Sequence, residues 1–344
     1  MCFLILLEFH HTNANEGKLN AQSRAQDSNS PDTLPAKVSD FDGNGFSDLA
    51  VCLPGPLNIW YVRFNPSTAC PNPNCQIYFH GTSADTLVPG DYTNNLSTNF
   101  VVYQPPGTFN IGIDSPPVIP PPVPTLLTVN WGIAGDIPLY GDYIGGPDAD
   151  YVVVRPTGGV LYWYILDGSS SVQVVFVFGS DTDALVPGDY DGDGKTDITV
   201  WRPGNGTWYW RSSSTGIVNA KQWGFTGDVP LLGNFDANAG LGNTVDDFAV
   251  YRPSNGYFYI LNSGALPPFT FQLWQFLPTD IPVPADYDND NDADMAVFQP
   301  TTDGWHIFPN SIPEILGLPG PDEIPIPATY VKCLPQTTVN KLCP

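Results

Sequence analysis

Positive charge is scarce in this chain of 344 residues: 12 Lys and Arg stand against 35 Asp and Glu, a net charge of −23. A nucleic-acid partner is thereby disfavoured, because phosphate binding needs a basic face. Glutamate is scarce as well, confined to Glu8, Glu16, Glu314 and Glu323. Nearly all the acid is aspartate, a residue of loops and turns. The apolar segment Met1–Phe9 is too short to span a bilayer. There is no nucleophile elbow, no phosphate loop and no His beside a Ser or Cys pattern, so an enzyme is not expected. Long helices are disfavoured by 37 Pro and 33 Gly, which call for many turns. What is present is 42% hydrophobic content, enough for a sizeable core.

The chain is organised around Gly188-Asp189-Tyr190-Asp191-Gly192-Asp193-Gly194-Lys195-Thr196-Asp197. Carboxylates at Asp189, Asp191, Asp193 and Asp197 can converge on one point, with the Lys195 carbonyl filling the gap. Calcium takes six to eight oxygen ligands in a flexible shell. Gly192 and Gly194 allow the positive φ that such a curl demands. The bland alternative is a solvated acidic turn. Against it, each like-charge pair would cost on the order of 4 kcal/mol at 4 Å and an effective dielectric of 20. An EF-hand is excluded, because its loop is longer, closes on Glu and lies between helices. Here the closing Asp197 runs into Ile198-Thr199-Val200-Trp201-Arg202-Pro203, a β-branched and aromatic strand.

The loop recurs. Its first position returns at Asp40, Asp91, Asp142, Asp189, Asn234 and Asp286, with a remnant at Ala328-Thr329-Tyr330, in steps of 43 to 52 residues. Each loop leads into a strand ending in proline, as at Arg155-Pro156, Arg202-Pro203 and Arg252-Pro253. An aromatic strand follows, then a third run, then Asp-x-Pro-x-x-Gly. About four short strands per repeat is the sequence mark of a propeller blade. Over Leu34 to Tyr330 the repeat resembles the FG-GAP/VCBS blade, related to the calcium-binding propeller of integrin α subunits. The resemblance implies an all-β propeller, usually seven-bladed, with calcium held in loops between the two inner strands of a blade. Six complete repeats and a seventh first strand, Ile324 to Tyr330, leave six or seven four-stranded blades open.

Three loops are expected to hold calcium. They are Asp189, Asp191, Asp193, Lys195 and Asp197 in repeat 4; Asp286, Asp288, Asp290, Asp292 and Asp294 in repeat 6; and Asp40, Asp42, Asn44, Phe46 and Asp48 in repeat 1. Lys195, Asp292 and Phe46 stand at the position that offers a backbone carbonyl. Asn289 and Asn291 replace the glycines of repeat 6, and Asn tolerates positive φ. Repeat 2, with Asp91, Thr93, Asn95 and Asn99, keeps the loop length without the charge, so no tight site is expected. Repeat 3 has Ile144 where a ligand is needed, and repeat 5 carries a five-residue insertion before Asp247. Strands Val160 to Leu166 and Val172 to Phe178 of repeat 3 are unusually apolar and predict burial or a contact. Arg155, Arg202 and Arg252 occupy matching strand ends and predict repeated work, stacking on an aromatic or pairing across blades.

Residues 1–33 form an apolar segment followed by a polar arm, and 34–344 the propeller with a C-terminal closing tail. Met1–Phe9 is either a signal-peptide remnant or a strand that packs into its own fold or a neighbour's. Asp114 to Pro124 reads as a stiff, polyproline-like loop. Cys70 and Cys75 could close a small disulfide loop, and Cys333 and Cys343 could staple the tail. Cys2 and Cys52 could pair with each other, pair between molecules or stay free. Asn95 and Asn205 begin glycosylation sequons. The expected function is that of a secreted, extracellular or cell-surface calcium-binding propeller that is not an enzyme. It would act as a structural or filament subunit, self-associating through its N-terminal strand or contacting another surface protein. The alternative is a glycan-binding lectin or adhesin, suggested by 9 Trp, 16 Tyr and 19 Phe.

Overall fold

The strand that follows each loop is apolar on both faces, because both faces are covered. In β1 (Leu49–Leu53), Leu49 and Val51 pack with Phe298 and Trp305 on one side. Ala50 and Cys52, pointing the other way, pack with Phe100 and Val102. Successive side chains on a strand alternate between faces, so one strand feeds two interfaces. That arrangement requires a sheet sandwiched between two neighbouring sheets, and the fold is a ring of them.

The computed structural model describes residues 39–64, 75–112, 125–146, 148–236, 244–263, 270–273, 279–308, 314–315 and 323–327. All lie in one compact unit, Asp32–Pro344. The N-terminal segment and arm, the proline loop Asp114–Pro124 and the remnant at Ala328–Tyr330 lie outside the described residues. So do Cys2, Cys70, Cys333, Cys343 and the side chain of Cys75, whereas Cys52 is a buried free thiol.

Blade 1 continues from β1 into β2 (Ile59–Arg63) and β3 (Cys75–Phe79). Blade 2 comprises β4 (Thr86–Leu87), β5 (Phe100–Gln104), β6 (Thr108–Gly112) and β7 (Thr125–Asn130). Blade 3 comprises β8 (Ile137–Leu139), β9 (Tyr151–Thr157), β10 (Val160–Leu166) and β11 (Gln173–Ser180). Blade 4 comprises β12 (Ala184–Leu185), β13 (Ile198–Arg202), β14 (Thr207–Arg211) and β15 (Val218–Gln222). Blade 5 comprises β16 (Val229–Leu231), β17 (Phe248–Arg252), β18 (Tyr257–Leu261) and β19 (Thr270–Leu273). Blade 6 comprises β20 (Ile281–Pro282), β21 (Ala296–Gln299), β22 (Gly304–Ile307) and β23 (Glu314–Ile315). Each is an antiparallel meander in chain order.

The last strand settles the blade count. β24 (Ile324–Pro325) pairs with β1, through Cys52 opposite Ile324 and Val51 opposite Pro325. Blade 1 therefore has the order β24-β1-β2-β3, and the propeller has six four-stranded blades. The strand seen in the sequence as the start of a seventh blade is the missing first strand of blade 1. Glu323-Ile324-Pro325-Ile326-Pro327 repeats the pattern of Asp280-Ile281-Pro282-Val283-Pro284, which opens blade 6.

Six apolar clusters lie one to each blade junction, including the junction of blade 6 with blade 1. Trp60, Trp163, Trp208 and Trp305 hold the same place in the third strand of their blades and are fully buried. Three indoles donate to backbone carbonyls, Trp60 to His80 (2.9 Å), Trp163 to Phe178 (2.8 Å) and Trp208 to Trp223 (3.0 Å). No α-helix occurs among the described residues, and none is long and apolar enough to cross a membrane. β11 departs from the expectation of burial. Its Val174, Phe176 and Phe178 pack against the junction of blades 3 and 4, but Val175 and Val177 are exposed.

Candidate metal centres

The loops of blades 2 to 6 join the first strand of their blade to the second, the loop of blade 1 leads into β1, and two hydrogen-bond sets give the six one shape. The residue at the ninth position closes the loop by accepting the N–H of the aromatic at the second. Asp48 accepts from Phe41 (2.8 Å), Asn99 from Tyr92 (2.9 Å), Asp150 from Tyr143 (2.7 Å), Asp197 from Tyr190 (3.0 Å) and Asp294 from Tyr287 (2.8 Å). In blade 5, after the insertion, Asp247 accepts from Phe235 (2.8 Å). These aromatics plug into the junctions, so loop and core are tied together.

The first-position carboxylate makes the second set by capping the turn. Asp189 accepts the N–H groups of Gly192 (2.7 Å), Asp193 (3.3 Å) and Gly194 (2.8 Å). Asp286 does the same for Asn289 (2.6 Å), Asp290 (3.2 Å) and Asn291 (3.1 Å). Asp40 accepts from Asn44 (3.0 Å) and Gly45 (2.8 Å). The turn needs left-handed backbone at two places, φ 76° and 84° at Gly192 and Gly194, and 61° and 71° at Asn289 and Asn291. Glycine meets that demand without a Cβ penalty, and asparagine at a small one.

A third set links the loops to one another. The residue before the closing position donates its N–H to the first-position carbonyl of the preceding blade. Thr98 donates to Asp40 (2.6 Å), Thr196 to Asp142 (2.6 Å), Asp246 to Asp189 (2.7 Å), Ala293 to Asn234 (2.7 Å) and Ser47 to Asp286 (2.6 Å). The candidate ligands thus sit on loops stitched to one another at five of the six blade junctions. Nothing in the sequence pattern signalled these backbone contacts.

Among the described residues, three places bring carboxylates together. One oxygen from each of Asp40, Asp42 and Asp48, of Asp189, Asp191 and Asp197, and of Asp286, Asp288 and Asp290 lie within 4.8 Å of one another. These are the loops of repeats 1, 4 and 6. Asn44 lies in the first cluster's turn, where its side-chain oxygen accepts the Phe46 N–H (2.8 Å). Asp193 turns aside: its carboxylate takes the Ser213 hydroxyl (2.9 Å) and the Lys195 N–H (2.9 Å), and Lys195 Nζ lies 3.4 Å away. Asp292 gives its N–H to Asp290 (2.9 Å), and Asp294 closes its loop.

Burial raises Asp40, Asp197, Asp286 and Asp294, and neighbouring carboxylates raise them further. Asp40 is pushed up to about 7 by burial, with Asp42 adding to the effect. Asp197 rises to about 7 and Asp286 to about 7, each by burial first and then by neighbouring carboxylates, and Asp294 rises to about 8 in the same way. Burial also opposes the charge on Asp191, but hydrogen bonds from Ser212 and Ser214 outweigh it and hold that carboxyl below its ordinary value. Such groups fit a hard cation. All the gathered donors are oxygens, no sulfur or imidazole joins them, and positive charge would relieve both causes of the shifts. A Ca2+ ion would be held by Asp40, Asp42 and Asp48, by Asp189, Asp191 and Asp197, and by Asp286, Asp288 and Asp290.

Several participants are invisible to the loop motif. The turn Ser212-Ser213-Ser214 between β14 and β15 reaches over the blade 4 loop. Ser212 and Ser214 donate to Asp191, and the Ser213 N–H to Asp197 (2.7 Å). Asp246 lies buried beside the same loop, accepting the Asp189 N–H (2.8 Å). Burial and the nearby Asp189 carry its carboxyl well above the usual range.

The repeated arginines work within a blade. Arg155 makes a two-pronged pair with Asp136 (2.7 and 2.8 Å), Arg202 with Asp183 (2.8 and 2.9 Å) and Arg252 with Asp228 (2.7 and 2.8 Å). Each guanidinium also lies over a tyrosine ring, Tyr164, Tyr209 or Tyr259. The stacking expectation holds, and pairing across blades is replaced by pairing to the residue just before the first strand of the same blade. Gln104 contacts Asp85 (3.1 Å) and Gln299 contacts Asp280 (3.3 Å) at the matching places. Compared with known proteins, the chain matches no family model and no curated protein.

Proposed function

We propose that this protein is a non-catalytic, calcium-binding propeller of the FG-GAP/VCBS type, which works outside the cell as a binding and assembly platform. The reading is carried by one observation. The three loops that gather carboxylates lie on a continuous run of loops tied by hydrogen bonds between blades. A cation in one loop therefore stiffens a junction, not a single turn. Calcium at extracellular concentration suits sites of this ligand type. Binding only the folded state, at one hundred times the dissociation constant, adds about 2.7 kcal/mol per site.

The platform's partner is a second copy or another surface protein, engaged through Met1–Phe9 as an added strand. A head-to-tail contact of that kind builds open filaments where its rotation does not close. The lectin alternative draws less support: Trp60, Trp163, Trp201, Trp208 and Trp305 are fully buried and offer no sugar platform, although Phe225 is exposed beside Arg252. Calcium titration by calorimetry tests the reading. Three sites per chain are expected; no heat with calcium, or no loss of thermal stability with chelator, sinks it.

A further inference from the structure

Six blades have six outer edges, and natural sheets blunt such edges with charge, proline or shortness, because an open row of N–H and C=O groups templates pairing with another strand. Two of the other edges are interrupted by polar side chains: β15 carries Lys221, and β7 has Thr128 and Asn130. β11 has none of these defences. It is eight residues long, Gln-Val-Val-Phe-Val-Phe-Gly-Ser, with no charge and no proline. Its register with β10 is regular from Gln173 to Val177, and among the described residues it pairs with β10 alone. Val175 and Val177 stand 53% and 58% exposed on this edge strand, and Val172 just before it is 49% exposed.

The occupant is constrained by charge. Two copies at −23 each repel, so a contact between them forms where neither partner carries charge. Met1–Leu7, outside the described residues, is a run of that kind, without a charged side chain and of matching length. Between Phe9 and Ser39, where the described structure begins, the chain can extend on the order of 100 Å, enough to reach a neighbouring molecule. We infer that the outer edge of β11 is the acceptor for the Met1–Leu7 run of a second copy, which adds as a fifth strand to blade 3. This rests on the assembly reading above and adds the acceptor to it.

The test uses two full-length variants, one lacking residues 2–9 and one carrying Val175→Lys and Val177→Lys, with mass measured by light scattering after gel filtration in calcium. Both valines are exposed, so the lysines leave the fold intact, checked by an unchanged calcium-dependent melting temperature. Wild type is expected to assemble, and each variant to weaken assembly at least tenfold. Mixed together they should form a one-to-one complex, because the deletion keeps an open edge and the lysine variant keeps a strand. If the deletion abolishes assembly and the lysines do not, the acceptor lies elsewhere and only this inference fails. If the lysines abolish assembly and the deletion does not, β11 takes a different occupant and the inference again fails. A monomeric wild type, or a lysine variant and a deletion that both assemble normally, overturns the assembly reading as well.

Discussion

The loops of blades 2 and 4 have the same frame and very different charge: one carboxylate in the first, four in the second. In blade 2, Asp91 accepts the N–H groups of Thr93 (3.1 Å), Asn95 (3.2 Å) and Leu96 (2.9 Å), and Asn99 closes the loop. In blade 4, Asp189 and Asp197 do the same work. Blade 2 even accepts Asn94 and Leu96 at φ 49° and 64°, although leucine gains nothing from a left-handed backbone. One carboxylate and one amide therefore suffice to build the loop. The further acids of blade 4, Asp191 and Asp193, are surplus to its shape, and their charge adds to the burial that raises Asp189, as that of Asp191 does for Asp197.

Removing calcium sharpens that contrast most. Chelation should lower the melting temperature of the whole protein, with each of three sites contributing about 2.7 kcal/mol at one hundred times its dissociation constant. Replacing Asp191 and Asp193 together by Asn makes blade 4 resemble blade 2. The chelator-sensitive part of the stability, read by calorimetry, should then fall by roughly a third. An unchanged chelator response would show that blade 4 holds no ion.

Truncating the turn cap separates frame from charge. Asp189→Ala and Asp91→Ala each orphan three backbone donors and should each cost about 2–3 kcal/mol by chemical denaturation in chelator. In calcium the two part company. Asp189→Ala loses one equivalent of bound calcium by titration, whereas Asp91→Ala loses none. Equal behaviour in calcium would erase the distinction between the loops. A gain of function approaches it from the other side. Thr93→Asp, Asn95→Asp and Asn99→Asp together restore the acidic spacing to blade 2 and should add one equivalent of calcium, worth up to about 2.7 kcal/mol when saturated.

Much of this was legible in the residues, for identifiable reasons. Loop spacing marked the blades because alternate oxygens and paired left-handed residues leave a fixed pattern, and the gathered clusters fall on the three loops with aspartate at the first, third and closing positions. Blade number was not legible, because Ile324–Pro325 reads equally well as the start of a seventh blade or the lost strand of the first. Serine donors on the Ser212–Ser214 turn were hidden because they lie one hairpin away from the loop they serve. The arginine partners were half visible. Asp136 and Asp183 each precede their arginine by 19 residues and Asp228 by 24, the difference being the blade 5 insertion. Extending the same register to blade 1 sets Leu53 opposite Glu323, so no guanidinium meets that carboxylate, which burial and then Asp303 push up to about 7.

The smallest effect expected is also the most specific to the comparison. Asp197 titrates in the folded state at about 7, against an ordinary 3.8, because burial and Asp191 disfavour its charge. Its counterpart Asn99 does not titrate at all. A carboxyl raised on folding holds its proton more tightly in the folded chain, so without metal its contribution is fully present below about 4 and declines as pH rises towards 7. Asp197→Asn keeps an oxygen for the Tyr190 N–H, as Asn99 does for Tyr92, and removes the titration. In chelator the stability of Asp197→Asn relative to wild type should therefore rise with pH between about 4 and 7, by roughly 1–2 kcal/mol once solvent screening is allowed for. In calcium the order reverses, because the ion needs the charged carboxylate and displaces its proton. Melting temperatures across that range, with and without calcium, decide it: parallel curves for the two proteins in chelator would mean that Asp197 is ionised in the empty loop. The electrostatic case for a cation in blade 4 would then lose its footing.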